Sequence, residues 1–286
     1  MIDLTKIVYK QDRKPKLAFY SSDYGKLEAD LWCALKNIPP TNPPEWHDYF
    51  KMETGKAIEM KFLEILKQNG QIPKTYVQET DGRVDFVRNG VTIHGYIDAK
   101  TNEGLPVEIK TLNNANKWAV ADYEANKPRE NYVGQLAIYM DSLGVNQGQL
   151  IAFTIDGLNR FVFTCQHLHD RVYKCGDIEV DLEKEYQRWA SIKSMVDNDI
   201  EPNWNECRYK IPIEEIKWSE METAEIKKAM LGEKVIGGGW EVNYSPYKDL
   251  ILEKQGATLG YTDQERKRIG ELANYQIVNG RMTKIK

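Results

Sequence analysis

The residues with the most chemistry in them lie in one stretch, Ile93-His-Gly-Tyr-Ile-Asp98-Ala-Lys-Thr-Asn-Glu-Gly-Leu-Pro-Val-Glu108-Ile-Lys110-Thr111. If the chain turns back on itself around Glu103, Asp98 falls directly opposite Glu108, and residues paired across antiparallel strands point to the same face. Their Cβ atoms would then sit roughly 4.5–5.5 Å apart, close enough for both carboxylates to hold one Mg²⁺ whose shell water completes. Lys110, two residues beyond Glu108, shares that face because the strand period is two. Two like charges held this close need a cation, and a neighbouring lysine can orient or deprotonate a water held there.

An acid followed by Glu-x-Lys is a common pattern. Glu59-Met-Lys61, Glu215-Ile-Lys217, Glu225-Ile-Lys227, Glu265-Arg-Lys267 and Asp98-Ala-Lys100 all occur in this chain. The serious rival combines Asp85 with Asp98-x-Lys100. A hairpin turning at Asn89-Gly90, however, sets Asp85 opposite His94, so the register favours Asp98, Glu108 and Lys110. Glu59 is a third carboxylate, one helical turn after Gly55, a glycine that lets the backbone approach a neighbour. Alone it also reads as a solvated helix position. Gln135 and Tyr139, spaced i and i+4, share a helix face, and alone they read as ordinary packing.

The elements that must position these residues follow from hydrophobic period. Ala57, Ile58, Phe62, Ile65 and Leu66 recur at helical spacing over about 53–68, and Asn69-Gly70 supplies a stop. Segments near 75–88, 91–99 and 105–112 are short, rich in β-branched and aromatic residues, and separated by Asn89-Gly90 and Asn102-Glu103-Gly104, which predicts a three-stranded antiparallel meander. Helical spacing returns over 129–143, and strands at 149–155 and 160–165 join at Asp156-Gly157. The order helix, three strands, helix, two strands predicts an α/β core, a mixed sheet flanked by helices. The expected division is an N-terminal segment 1–50, a core 51–180 and a mostly helical C-terminal appendage 181–286, with helices at about 181–197 and 214–231.

Composition bounds the function. The chain has 286 residues, 39 Lys plus Arg against 43 Asp plus Glu, and a net charge of −4, the opposite of a globally basic nucleic-acid binder. Contact with DNA would need divalent metals or local basic segments. Lys6, Lys10, Arg13, Lys14, Lys16 and Lys26 near one end, and Arg266, Lys267, Arg268, Arg281, Lys284 and Lys286 near the other, are the candidates. There is no signal-peptide pattern and no apolar run of membrane-spanning length, so the expectation is a cytoplasmic protein with no membrane partner.

Gly-x-x-x-Glu59 on a first helix, Gly95-Tyr-Ile-Asp98, Glu108-Ile-Lys110-Thr111 and Gln135-x-x-x-Tyr139, in that order over residues 20–165, resemble the PD-(D/E)XK nuclease superfamily in its RecB-type branch, which includes phage recombination exonucleases. Ile97 stands where a proline often precedes the acid. The resemblance implies a PD-(D/E)XK core of order αβββαββ. It also implies that Asp98, Glu108 and the Ile109 carbonyl bind Mg²⁺ or Mn²⁺, that Glu59 completes the shell, and that Lys110 positions the nucleophile. Gln135 and Tyr139 would brace the lysine and contact the DNA strand.

The implied protein is a DNA exonuclease of recombination or repair in a bacterial or phage-infected cell, working on DNA with a single-strand annealing or other recombination protein. A structure-specific or nicking endonuclease and a catalytically silent DNA-binding module are the alternatives. Some members of the branch carry a [4Fe-4S] cluster on four cysteines. Here Cys33, Cys165, Cys175 and Cys207 lack a tight Cys-x-x-Cys, so buried or free thiols are expected and the cluster is not. A zinc site at His167-x-His169 with Cys165 and Cys175 lacks a standard spacing. Trp189, Trp204, Trp218, Trp240 and Tyr244 are read as core before base-stacking platforms.

Overall fold

The computed structural model describes residues 15–113, 117–239, 241–278 and 281–285. Lys6, Lys10, Arg13, Lys14, Trp240 and Lys286 lie outside them. The chain divides into two compact units, one of residues 15–26, 34–37 and 44–200, the other of residues 27–33, 38–43 and 201–285.

In the first unit, the seven residues Pro106–Leu112 alternate so that both sides of the strand are useful, and they make the central strand of the site. The strands are β1 (Phe19–Tyr20), β2 (Arg83–Arg88), β3 (Val91–Tyr96), β4 (Ala99–Lys100), β5 (Pro106–Leu112), β6 (Gln147–Thr154), β7 (Arg160–His169), β8 (Val172–Cys175) and β9 (Ile178–Asp181). They form a three-stranded sheet in the order β1-β3-β2 and a six-stranded sheet in the order β4-β5-β6-β7-β8-β9. β5 and β6 are parallel, so the chain between them must cross over. It does so through α4 (Lys117–Glu124) and α5 (Glu130–Leu143).

Two helices sandwich β5. On α2 (Trp46–Gln68), Ile58, Phe62, Leu63 and Leu66 pack on Val107, Ile109, Ile151 and Phe153. Alternation turns Glu108 and Lys110 to the other face. There Leu136 and Met140 of α5 lie against Gly148 of β6, and Glu108 is paired with Leu150. The three-stranded sheet is covered by α6 (Leu182–Asp197), whose Tyr186 and Trp189 are buried; Trp189 stacks on Phe19 at 5.0 Å. In the second unit, α7 (Thr223–Met230), α8 (Glu241–Tyr244), α9 (Lys248–Lys254) and α10 (Asp263–Ala273) accompany a hairpin of β10 (Tyr275–Val278) and β11 (Arg281–Lys284). Trp218, Ile226, Ala229 and Ile269 form its core. Trp189 and Trp218 are therefore core residues, and Trp204 packs edge-on against Trp32.

Several expectations need correction. Residues 75–82 are not strand: they form a turn and the short helix α3 (Gln78–Asp81), because Gln-Glu-Thr-Asp offers no apolar alternation. The meander breaks at 97–98, which puts β3 and β5 in different sheets. The αβββαββ order omits β1, α1 (Glu28–Leu35), α3, α4, β8 and β9. The helix expected over 214–231 starts only at Thr223, since Trp218 turns inward and its Nε1 donates to the Ile213 carbonyl at 2.7 Å. The thiol reading fails for two cysteines. Cys165 and Cys175 stand opposite each other on β7 and β8 and form a disulfide, so neither is free for zinc or a cluster. His167 instead bonds the Asp170 carbonyl at 2.8 Å.

Asp23, 1% exposed, ties the entry of the chain to this unit. It accepts from the Tyr20 N–H at 2.7 Å and pairs with Lys26 at 2.9 Å and with Lys16. Burial alone would raise its pKa, but the two lysines outweigh burial and hold it below the usual carboxylate range. The folded carboxyl thus binds its proton more weakly than the unfolded one, so its stabilisation is complete above about pH 4 and is lost as pH falls through the folded value. Asp23→Asn is expected to cost roughly 1.5–3 kcal/mol in urea unfolding at pH 7, and its gap to wild type should close below about pH 4. Thiol titration of the unfolded, unreduced chain should count two reactive cysteines, Cys33 and Cys207, and four after reduction.

Candidate active site

β4 pairs with β5 only at Ala99 with Val107 and Lys100 with Pro106, a register that carries on to set Asp98 opposite Glu108. The hairpin at Asn89-Gly90 pairs Asp85 with His94; both turn residues have positive φ, 48° and 79°, the type I′ geometry that Asn-Gly favours. Asp85, held by His94 and Arg83, belongs to the other sheet.

Past β4, the outer edge of β5 bonds to side chains. The Ile109 N–H donates to Asp98 Oδ2 at 2.8 Å, and the Thr111 N–H holds the Glu59 carboxylate. Gly55 makes the second contact feasible, since a Cβ there would lie 3.2 Å from Thr111 Oγ1. In a strand the N–H and C=O of one residue face the same edge, so the Ile109 carbonyl turns toward Asp98.

The 76–82 segment clamps the approach to Asp98. Gln78 Nε2 donates to Asp98 Oδ1 at 2.9 Å, the Tyr76 hydroxyl to the Ile97 carbonyl at 2.7 Å, and the Ile97 N–H to the Gly82 carbonyl at 2.8 Å. Glycine is required at 82, where a Cβ would stand 2.4 Å from the Ile97 oxygen. Gln78 lies in a stretch whose period reads as strand, and nothing in the sequence marks it.

Glu108 is fully buried and pairs with the Lys110 ammonium. Apart from that lysine, neither of its oxygens has a partner among the described residues. The Lys110 ammonium also lies 5.1 Å from the centre of the Tyr132 ring. Burial and the nearby Asp98 raise Glu108 to about 8 against the pull of Lys110. Burial and Asp98 likewise raise Glu59 to about 7, and burial pushes Asp98 up. Burial would lower Lys110, but Glu108 and Asp98 prevail and keep it charged.

Tyr139 is 1% exposed and so is walled off from any strand in solvent. Its hydroxyl donates to the Tyr96 carbonyl at 2.9 Å and accepts from Ser21 Oγ at 2.8 Å and Gln135 Nε2 at 3.0 Å. Neither it nor Gln135 bonds to Lys110 among the described residues. The hydrogen bonds of the pair run to Tyr96 and Ser21, at the strand that leads to Asp98, and among the described residues not to the lysine that the resemblance has them brace. Ser21 is a member of this network that its sequence position does not reveal.

The carboxylates of Glu59, Asp98 and Glu108 and the Ile109 carbonyl are hard oxygen donors of the kind Mg²⁺ and Mn²⁺ take. Among the described residues no three acid, histidine or cysteine side chains form a ready-made cage. The fit to a divalent ion therefore rests on donor chemistry and on the otherwise unpartnered oxygens of Glu108. No helix among the described residues is long and apolar enough to cross a membrane.

The fold and site define a mixed α/β protein with a buried acid–lysine cluster at a sheet edge. No family model matches the chain, and no curated protein matches it. Solved structures that resemble it include SSO0001, at 17% identity and a TM-score of 0.39 over 70% of this chain and 84% of that one. LHK-Exo in complex with dAMP aligns at 18% identity and 0.43 over 64% and 90%. The alkaline exonuclease LHK-Exo from Laribacter hongkongensis aligns at 19% and 0.40 over the same shares. Likenesses this distant leave the function to be read from the residues themselves.

Tyr139→Phe, which strips three hydrogen bonds at once, is expected to cost about 1–3 kcal/mol in urea unfolding. Gln135→Ala, at a half-buried position, should cost less. Equal costs would show that the network is not centred on the hydroxyl.

Proposed function

We propose that this chain is a metal-dependent nuclease that hydrolyses phosphodiester bonds in DNA, an exonuclease of recombination or repair in preference to a site-specific endonuclease. The observation that carries the reading is the fully buried Glu108 carboxylate set beside Asp98 and balanced by Lys110 alone. Burying such charges is costly unless a cation compensates them, and a purely structural strand gains nothing from them.

In this reading Glu59, Asp98, Glu108 and the Ile109 carbonyl hold a Mg²⁺ or Mn²⁺ ion, which when bound supplies charge neutralisation at the phosphate and activation of water. The protein's own residues do the rest. Lys110 Nζ, kept protonated by its neighbours, donates to the attacking water and holds it in line with the bond to the leaving 3′-oxygen, or donates to a non-bridging phosphate oxygen. Gln78 and the Ile109 N–H fix the Asp98 carboxylate in one rotamer, so that little reorganisation is needed during reaction. Tyr139 and Gln135 act from behind by steadying Tyr96. A recombination protein that anneals single strands is the partner such a nuclease would serve.

The test is incubation of end-labelled linear duplex and of covalently closed circular DNA with Mg²⁺, Mn²⁺ or EDTA. Linear DNA should be degraded only with metal, and Asp98→Ala and Lys110→Ala should each lose about 10²–10³-fold in rate while remaining folded. Circular DNA cut as fast as linear would decide for an endonuclease. Full activity in either variant would remove the site assignment, and no cleavage together with no Mn²⁺ binding by calorimetry would leave a silent module.

A further inference from the structure

One cation next to this site remains unexplained by the reaction. Arg129, the residue before the first turn of α5, is exposed, and among the described residues its guanidinium makes no hydrogen bond or ion pair. What it touches is a ring: its Cζ lies 5.9 Å from the centre of Tyr132, the same ring that has Lys110 Nζ at 5.1 Å. One tyrosine thus carries two like-charged groups, and the two distances cap their separation at about 11 Å. Two cations gathered on one ring repel each other, and among the described residues no acid lies within ion-pair distance of the outer one. Most surface cations of this unit are matched: Arg88 by Asp141, Arg171 by Glu183, Lys184 by Asp181. The inner of the two is neutralised by Glu108.

The arrangement suits an anion brought in from outside. A DNA strand carries one charge about every 3.4 Å of axis, so 11 Å spans roughly three nucleotides. A guanidinium presents a fork of donors that matches a phosphate, and stacking on an aromatic face orients it. We infer that Arg129, spaced from Lys110 by the Tyr132 ring, binds a backbone phosphate of the DNA strand within about three nucleotides of the bond at Lys110. The inference rests on the nuclease reading. It makes Arg129 a substrate-binding residue and Tyr132 the spacer that sets how far along the strand the protein holds it.

The experiment reads binding apart from cleavage. Fluorescence anisotropy with a labelled oligonucleotide in EDTA, over a series of salt concentrations, is compared for wild type, Arg129→Ala and Arg129→Lys, and thermal unfolding is followed in parallel. Arg129→Ala should weaken binding about tenfold and reduce the slope of log K against log salt by about 0.7–0.9. Arg129→Lys should restore the slope and most of the affinity. With Mg²⁺ on linear DNA, Arg129→Ala should raise KM about tenfold and lower kcat less than twofold. Unchanged affinity and slope in Arg129→Ala overturn the inference, as does a drop in melting temperature with the slope intact, which is the signature of packing alone. If wild type fails to cleave but Arg129→Ala still loses affinity and slope, the nuclease reading falls and the phosphate contact stands. If wild type does not bind DNA at all, both fall.

Discussion

Glu108 has no access to water, and much of its surroundings follows from that. A carboxylate taken out of solvent costs several kcal/mol unless something charged or hydrogen-bonding answers it. In this chain the answer is one ammonium two residues along the same strand, which the strand period brings to the same face. That solution is incomplete, because Asp98 and Glu59 press in from the neighbouring segment and helix and drive the group toward protonation. The lysine ammonium in turn lies against the Tyr132 ring, 5.1 Å from its centre. A cluster that is under-neutralised by its own residues is poorly suited to support a fold and well suited to take up a cation.

The scaffold keeps this cluster from relaxing. α2 packs on one face of β5 through Ile58, Phe62 and Leu66, α5 covers the other, and the parallel pairing of β5 with β6 fixes where α5 must run. The residues that hold Asp98 come from three places: Gln78 in a short helix, Ile109 in β5, and Tyr139 acting through Tyr96 from α5. The carboxylate would have to break contacts in more than one element to swing away. The second unit has a core of its own around Trp218 and Ile269 and contributes none of these residues.

Register was the legible part of the sequence. Asn89-Gly90 and the turn at Glu103 each specify which residues face each other, because short turns and strand alternation leave little freedom, and both registers hold in the structure. The helices over 53–68 and 129–143 were legible for a similar reason, a long amphipathic period. What could not be read were contacts made by polar residues with no period at all. Gln78 sits in a stretch too short to declare itself, Ser21 meets Tyr139 across 118 residues of sequence, and Arg129 matters only once the Tyr132 ring is placed. The Cys165–Cys175 pair was hidden because β8, four residues long, carries no alternation that distinguishes it from a loop.

The bonds from Ile109 and Thr111 to acidic side chains have a consequence for the sheet itself. β4 is two residues long, so most of β5 would be left as a bare edge, and bare edges invite a strand from another molecule. Here Asp98 and Glu59 stand in for the carbonyls of a missing neighbour and occupy the donors that an intruding strand would need. The two carboxylates assigned to the proposed metal site thus also cap the edge donors of β5 against a further strand. An alanine at either position would therefore remove an acid and, in the same step, free a backbone donor on the β5 edge.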